Sequence, residues 1–149
     1  MEVISLSRIL AYWEQKQADR IAIGHEDESI SWHQLELDTN RLARAYAELG
    51  VKEGDFVTVA LPNGIEFFKS CFAIWKLGAT PQPVSAKLPK FERDQIIDLG
   101  KPSLVVGVDD TSSSVATVHS QYEPSNSLSN ETLEEKTAPS FKAMPSGGS

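Results

Sequence analysis

The chain has 149 residues, 40% of them apolar and 23% charged, with a formal net charge of −7. That length suits one ordinary domain and excludes two, and the negative charge argues against a grip on nucleic acid or an anionic membrane surface. No run approaches about 18 apolar residues, so no transmembrane segment is expected. The N-terminus MEVISLSRIL lacks a basic stretch and a small-residue cleavage site, so it does not read as a signal peptide. A single cysteine, Cys71, leaves no disulfide framework and no Cys-based metal site. These bounds describe a soluble, cytoplasmic α/β domain.

Leu6, Ile9, Leu10 and Trp13 share one face at helical spacing, with Ser5 as a candidate N-cap, and predict an amphipathic helix ending near Gln17. Arg20–Gly24 and Ser29–Ser31 predict a hairpin whose tip, His25-Glu26-Asp27-Glu28, reads as a solvated acidic turn rather than a metal site. Ser31-Trp32-His33-Gln34 fits a capping box. The helix it opens carries Leu35, Thr39, Leu42, Tyr46 and Leu49, with Gly50 as the stop. Lys52-Glu53-Gly54-Asp55 is a turn, and Phe56–Leu61 is a strand with little polar alternation, the kind found in parallel sheets covered on both faces.

Asn63 and Glu66 open the next predicted helix, with Ile65, Phe68, Phe72 and Trp75 as its buried stripe and Gly78 as its end. Ala79–Val84 is a second strand, and its prolines at 81 and 83 make it short, irregular or an edge. A helix over Lys90–Leu99, closed by Gly100, leads to a third strand, Ser103–Val108. Residues 1–108 hold 12 Lys and Arg against 15 Asp and Glu, whereas 109–149 hold 2 against 6. So few apolar side chains follow Val108 that 109–140 reads as a polar, weakly structured excursion. Short strands or a helical turn remain open around Ser114–Val118 and Asn130–Lys136. Phe141–Met144 reads as a fourth strand, running into Pro145-Ser146-Gly147-Gly148-Ser149.

The fold class is therefore α/β: an N-terminal helix and β-hairpin, then a βαβαβ parallel-sheet unit. Ligands of such sheets sit beyond the carboxyl ends of the strands, which draws attention to Pro62-Asn63-Gly64, to Ser85–Lys87 and to the Gly-rich terminus. Consecutive glycines and serines can turn several N–H groups onto one anion, so Ser146, Gly147, Gly148 and Ser149 are the candidate phosphate-binding residues. A flexible linker has the same composition. Cys71 reads as a core residue, no histidine shares a metal-ligand spacing with another ligand, and no catalytic or metal-binding residue is assigned.

From about residue 7 to the last residue, the order of segments resembles the AMP-forming adenylate ligases: acyl- and aryl-CoA synthetases, peptide-synthetase adenylation domains and luciferases. Ile30–Leu35, Asn40–Ala43, Leu49–Asp55, Val57–Asn63, Ala73–Ala79 and Pro83-Val84 carry the resemblance. Ser146–Ser149 is similar to the opening of that family's phosphate loop, Ser-Gly-(Ser/Thr/Gly)-(Ser/Thr)-Thr-Gly-x-Pro-Lys, and its double glycine is nearer the acyl- and bile-acid-type CoA ligases. The resemblance implies the first part of the large N-terminal domain of such a ligase. Residues 1–108 would be its first subdomain, and 141–149 a strand leading into a truncated phosphate loop. It also implies ATP, Mg2+ and CoA as cofactors, a small-molecule carboxylic acid as substrate, and an acyl-adenylate that goes on to a thioester. The 149 residues alone are expected to be inactive and poorly soluble or molten. An adenylation domain loading a carrier protein and a non-catalytic nucleotide-binding module stand as alternatives. The identity of the acid, the oligomeric state and the pathway are not legible.

Overall fold

A computed structural model describes residues 4–109, 111, 114–139 and 141. The elements in order are α1 (Ile9–Gln17), β1 (Ile21–His25), β2 (Glu28–Ser31), α2 (Trp32–Glu48), β3 (Phe56–Val59), α3 (Ile65–Lys76), β4 (Thr80–Pro83), α4 (Lys90–Gly100), β5 (Leu104–Val106) and β6 (Ala116–Val118). β1 and β2 form an antiparallel hairpin, and the other strands form a parallel sheet in the order β4-β3-β5-β6. The βαβαβ unit is thus β3-α3-β4-α4-β5. The segment around Ser114–Val118, where the sequence leaves a short strand open, supplies a fourth parallel strand, with Val105 opposite Thr117. Of the expected strand Phe141–Met144, residues 142–144 lie outside the described residues.

Sheet pairing explains how β4 tolerates two prolines. Thr80 N donates to Asp55 O and Val84 N to Val59 O, each at 2.9 Å, so the even-numbered amides face β3. Pro81 and Pro83, which lack an N–H, then fall on the outer side of the sheet's edge strand, where no ladder bond is lost.

The sheet is covered on both faces. On one, Leu42, Ala43 and Tyr46 of α2 and Ala73 and Ile74 of α3 pack on Val57, Val59, Leu104, Val106 and Val118. On the other, Ile97 of α4 meets Ala60, Val105 and Val108. Thr58 also faces α4, and Gln82 bridges it to the helix end: Thr58 Oγ1 donates to Gln82 Oε1 at 3.1 Å, and Gln82 Nε2 donates to Gly100 O at 3.1 Å.

Local details depart from the sequence expectations in five places. Ser5 does not cap α1: the helix starts at Ile9, and the Ser5 hydroxyl bonds Ser7 Oγ and Glu135 Oε2, each at 2.8 Å. The capping box of α2 is half made, since Ser31 Oγ accepts from Gln34 N at 3.1 Å while the Gln34 amide turns forward to Asp38 at 2.6 Å. Asn63 does not cap α3, whose N-cap is Gly64. Gly100 lies inside α4, and the left-handed residue that ends the helix is Lys101, at φ +47°. Gly100 has a different use, because a Cβ there would lie 2.7 Å from Gln82 Oε1. The stripe of α3 is also rotated. Its buried residues are Ser70, Cys71 and Ala73 to Lys76, while Phe68 is 43% exposed.

Candidate functional site

A cleft of about 620 Å³ opens beyond the carboxyl ends of β3, β5 and β6. Leu61 follows β3, Val106 ends β5, and the turn after β6 contributes His119 to Pro124. That turn closes through Tyr122 N donating to His119 O at 3.1 Å, and His119 Nδ1 accepts from Gln121 N at 3.1 Å. α2 brings Asp38, Arg41 and Tyr46 to the wall, and α3 brings Glu66 and Lys69. A smaller recess of about 230 Å³ shares Leu61, Glu66 and Ser120, and adds Pro62, Asn63, Gly64, His25 and Glu28.

The cleft is polar and its charges are largely paired. Lys69 Nζ lies 3.2 Å from Asp38 Oδ2 and 3.7 Å from Glu66 Oε1, while Arg41 Nε donates to Leu128 O at 3.0 Å. Behind the wall the Tyr46 hydroxyl shares a 2.9 Å hydrogen bond with Ser70 Oγ, and burial pushes the phenol above its ordinary range. Burial also raises the Tyr122 phenol, with Glu48 adding to the effect. Cys71 sits in the core and burial pushes its thiol up to about 12, which removes it as a nucleophile at neutral pH. Among the described residues no three His, Cys, Asp or Glu side chains form a group that could hold a metal ion. The Mg2+ implied by the resemblance therefore has no ligand set among them, and no step is derived through it.

Of the segments that the strand-end rule singles out, Pro62-Asn63-Gly64 lines the smaller recess. Ser85–Lys87 takes no part in either wall; Lys87 N closes a local turn on Ser85 Oγ at 3.2 Å. Ser146, Gly147, Gly148 and Ser149 lie outside the described residues. Sequence reading missed Asp38, Arg41, Lys69 and His119 because nothing in linear spacing links residues 38, 69 and 119. Asp38 and Arg41, one helical turn apart on the polar side of α2, are the one local signal.

A buried polar triad joins α2 to α3. Lys76 Nζ donates to Glu36 Oε1 at 2.5 Å and to Asn40 Oδ1 at 2.7 Å, and Asn40 Nδ2 donates to Glu36 Oε2 at 3.1 Å. Lys76 and Glu36 are each 3% exposed. Burial pulls the Lys76 ammonium below its usual range, against the opposing pull of Glu36. The triad reaches outward too. Asn40 Nδ2 donates to Asn130 O at 3.0 Å, and Arg44 Nη1 donates to Ser129 O at 3.1 Å and Glu131 O at 2.6 Å.

The chain is thus a parallel α/β unit with a polar cleft at its strand ends, where ligands of such sheets bind. Sequence comparison gives the family: a sequence model described as "AMP-binding enzyme" matches residues 10–146. The chain belongs to the AMP-binding enzyme family. It is 42% identical over 66 residues to 2,3-dihydroxybenzoate-AMP ligase of Bacillus subtilis, which covers 44% of this chain and 12% of that protein. It is 36% identical over 77 residues to pyochelin synthase PchD of Pseudomonas aeruginosa, covering 52% of this chain and 14% of the relative. Among solved structures, the nonribosomal peptide synthetase FmoA3 superposes with a TM-score of 0.82 at 17% identity, over 93% of this chain and 15% of that one. At that identity the likeness concerns the fold, which is that of the N-terminal domain of adenylate-forming ligases. The chain spans a small part of each of these proteins. No helix among the described residues is long and apolar enough to cross a membrane.

Proposed function

We propose that this chain serves an ATP-dependent, AMP-forming ligase. A carboxylate oxygen of the substrate acid attacks the α-phosphorus of ATP, the bond to the β-phosphate breaks, and acyl-adenylate and pyrophosphate form. A thiol sulfur then attacks the acyl carbonyl, giving a thioester and AMP. The observation that carries this reading is the family match, which covers all the elements of the α/β unit. In this scheme residues 1–108 are the first subdomain, 109–140 the return across α2 and α3, and 141–149 the approach to the phosphate loop. The backbone N–H groups and hydroxyls of Ser146, Gly147, Gly148 and Ser149 would hold the β- and γ-phosphates.

The acceptor has two readings. The double glycine Gly147-Gly148, similar to that of the acyl- and bile-acid-type CoA ligases, supports an acid–CoA ligase. The relatives, one a dihydroxybenzoate-AMP ligase and one a pyochelin synthase, support an adenylation domain that loads an aryl or amino acid onto a carrier protein. The test is ATP–pyrophosphate exchange by the full-length gene product across aryl, amino, fatty and bile acids, followed by thioester formation with CoA or a carrier protein. Acid-dependent exchange is expected. ATP binding without exchange for any acid would leave a non-catalytic nucleotide-binding module instead.

A further inference from the structure

The return segment, which follows β6, is tied to the cleft through Arg41 of α2. Arg41 lines the cleft, and its Nε donates to Leu128 O of the segment at 3.0 Å. Lys69, the other cation of the wall, has Asp38 Oδ2 at 3.2 Å and Glu66 Oε1 at 3.7 Å. Asp38 is satisfied on its second oxygen as well, since Gln34 Nε2 donates to Oδ1 at 2.6 Å. Arg41 sits one helical turn from Asp38, yet among the described residues no carboxylate pairs with it. Its one hydrogen bond there goes to a neutral carbonyl, so Nη1 and Nη2, the two ends of the guanidinium fork, still have donors to offer. A half-buried cation that meets no opposite charge has lost water without full compensation. The third carboxylate of the wall, Glu123, is exposed, where water screens it.

Two neutral donors line the same space. His119 Nδ1 accepts from Gln121 N at 3.1 Å, which places the ring proton of the neutral imidazole on Nε2. Burial raises the Tyr122 phenol, so at neutral pH it keeps its proton. We propose that the cleft is a binding site for an oxyanion, the carboxylate or phosphate group of a small molecule, gripped by Nη1 and Nη2 of Arg41 and completed by His119 Nε2–H and the Tyr122 hydroxyl. A planar guanidinium fork suits both groups. The site is additional to the one that nucleotide would fill in the reaction proposed above. Because Nε of the same arginine holds Leu128 O, an anion on the fork also steadies the return segment.

Amide hydrogen exchange by the full-length gene product tests this, in sodium chloride, acetate or phosphate at one pH and ionic strength. The peptide containing Leu128 is expected to exchange about fivefold more slowly in at least one oxyanion than in chloride, the effect of one hydrogen bond, with ATP absent or saturating. Slowing in phosphate alone marks a phosphate-bearing ligand, and slowing in acetate marks a carboxylate. Arg41→Gln keeps an N–H for Leu128 O and removes the charge, so its exchange should be the same in all three salts. Tyr122→Phe removes one hydroxyl and should raise the anion concentration of half effect about fivefold. Equal wild-type exchange in the three salts overturns the proposal, as does an undiminished response in Arg41→Gln. Equal slowing in the β1–β2 hairpin marks a general salt effect and also overturns it. So does slowing that ATP abolishes, because phosphate is then entering the nucleotide's own site. If Arg41→Gln has already lost its protection in chloride, Tyr122→Phe decides: an unchanged half-effect concentration overturns the proposal, and a raised one supports it. If the protein binds no ATP, the adenylation reading has failed, and the three salts without ATP still decide the oxyanion site.

Discussion

Lys76 occupies a place where an apolar side chain would ordinarily join α2 to α3, and it is held there by Glu36 and Asn40. Removing one partner of such a pair leaves the other charge buried and uncompensated. Lys76→Met is expected to cost about 3–5 kcal/mol in a urea melt, and the double variant Lys76→Met/Glu36→Leu should recover much of it. A single variant within about 1 kcal/mol of wild type would show that the pair is not isolated from solvent. Cys71 gives a pH prediction. Its folded-state pKa is raised from 9.0 to about 12, so between those values the unfolded thiol loses its proton while the folded one keeps it. The folded state then binds more protons and stability falls as pH rises, by up to about 1.4 kcal/mol per pH unit from this group. Lys76, whose pKa is lowered, acts in the opposite direction below 10.5. Cys71→Ala should therefore flatten the alkaline loss seen in denaturant melts between pH 9 and 11, and identical slopes for the two proteins would refute the assignment. At Gly107, φ is +99° and a Cβ would lie 2.6 Å from the Ala60 carbonyl oxygen. Gly107→Ala should cost about 2–4 kcal/mol, because strand backbone must move to admit it; a melt unchanged within error contradicts this.

Among the elements, α2 and α3 show most clearly what sequence pattern can and cannot give. The Ser31 cap and the apolar spacing of α2 were legible because both are local. Ser31→Ala should lower stability by about 1 kcal/mol, measured by thermal melting at neutral pH, and a stabilised variant would contradict the cap. The fate of Gln34 was not legible, since Asp38 one turn on competes for its amide. On α3 Ile65, Phe68, Phe72 and Trp75 suggested the buried stripe, but of these Trp75 alone is buried, beside Ser70, Cys71, Ala73, Ile74 and Lys76. Small residues let α3 approach α2, where Ser70 meets the Tyr46 hydroxyl. Phe68 is left exposed, whereas Trp75 is buried and stacks on Phe141. Size alone misleads when two helices pack closely and a later segment supplies the cover.

At the scale of the whole molecule, the parallel sheet followed from strands that read as continuously apolar, and β4, whose prolines left it short, irregular or an edge, lies at the edge. The return segment did not follow. Its carbonyls are held by Asn40, Arg41 and Arg44, side chains more than 80 residues away, and a composition rich in Ser, Thr, Asn and Glu hides that dependence. The strand-end rule located the smaller recess, at Pro62-Asn63-Gly64, and not the side chains of the larger cleft, because α2, α3 and the turn after β6 bring residues 38, 69 and 119 together. The proposed phosphate-binding role of Ser146, Gly147, Gly148 and Ser149 rests on their composition and on the family resemblance, and it is open to a direct test. The measurement is acid-dependent ATP–pyrophosphate exchange by the full-length gene product, wild type beside Gly148→Val. Exchange by the wild type with at least one carboxylic acid is expected, with a loss of about a hundredfold in the variant if the added side chain displaces backbone N–H groups from phosphate. No exchange by the wild type, or equal exchange by the variant, would contradict it.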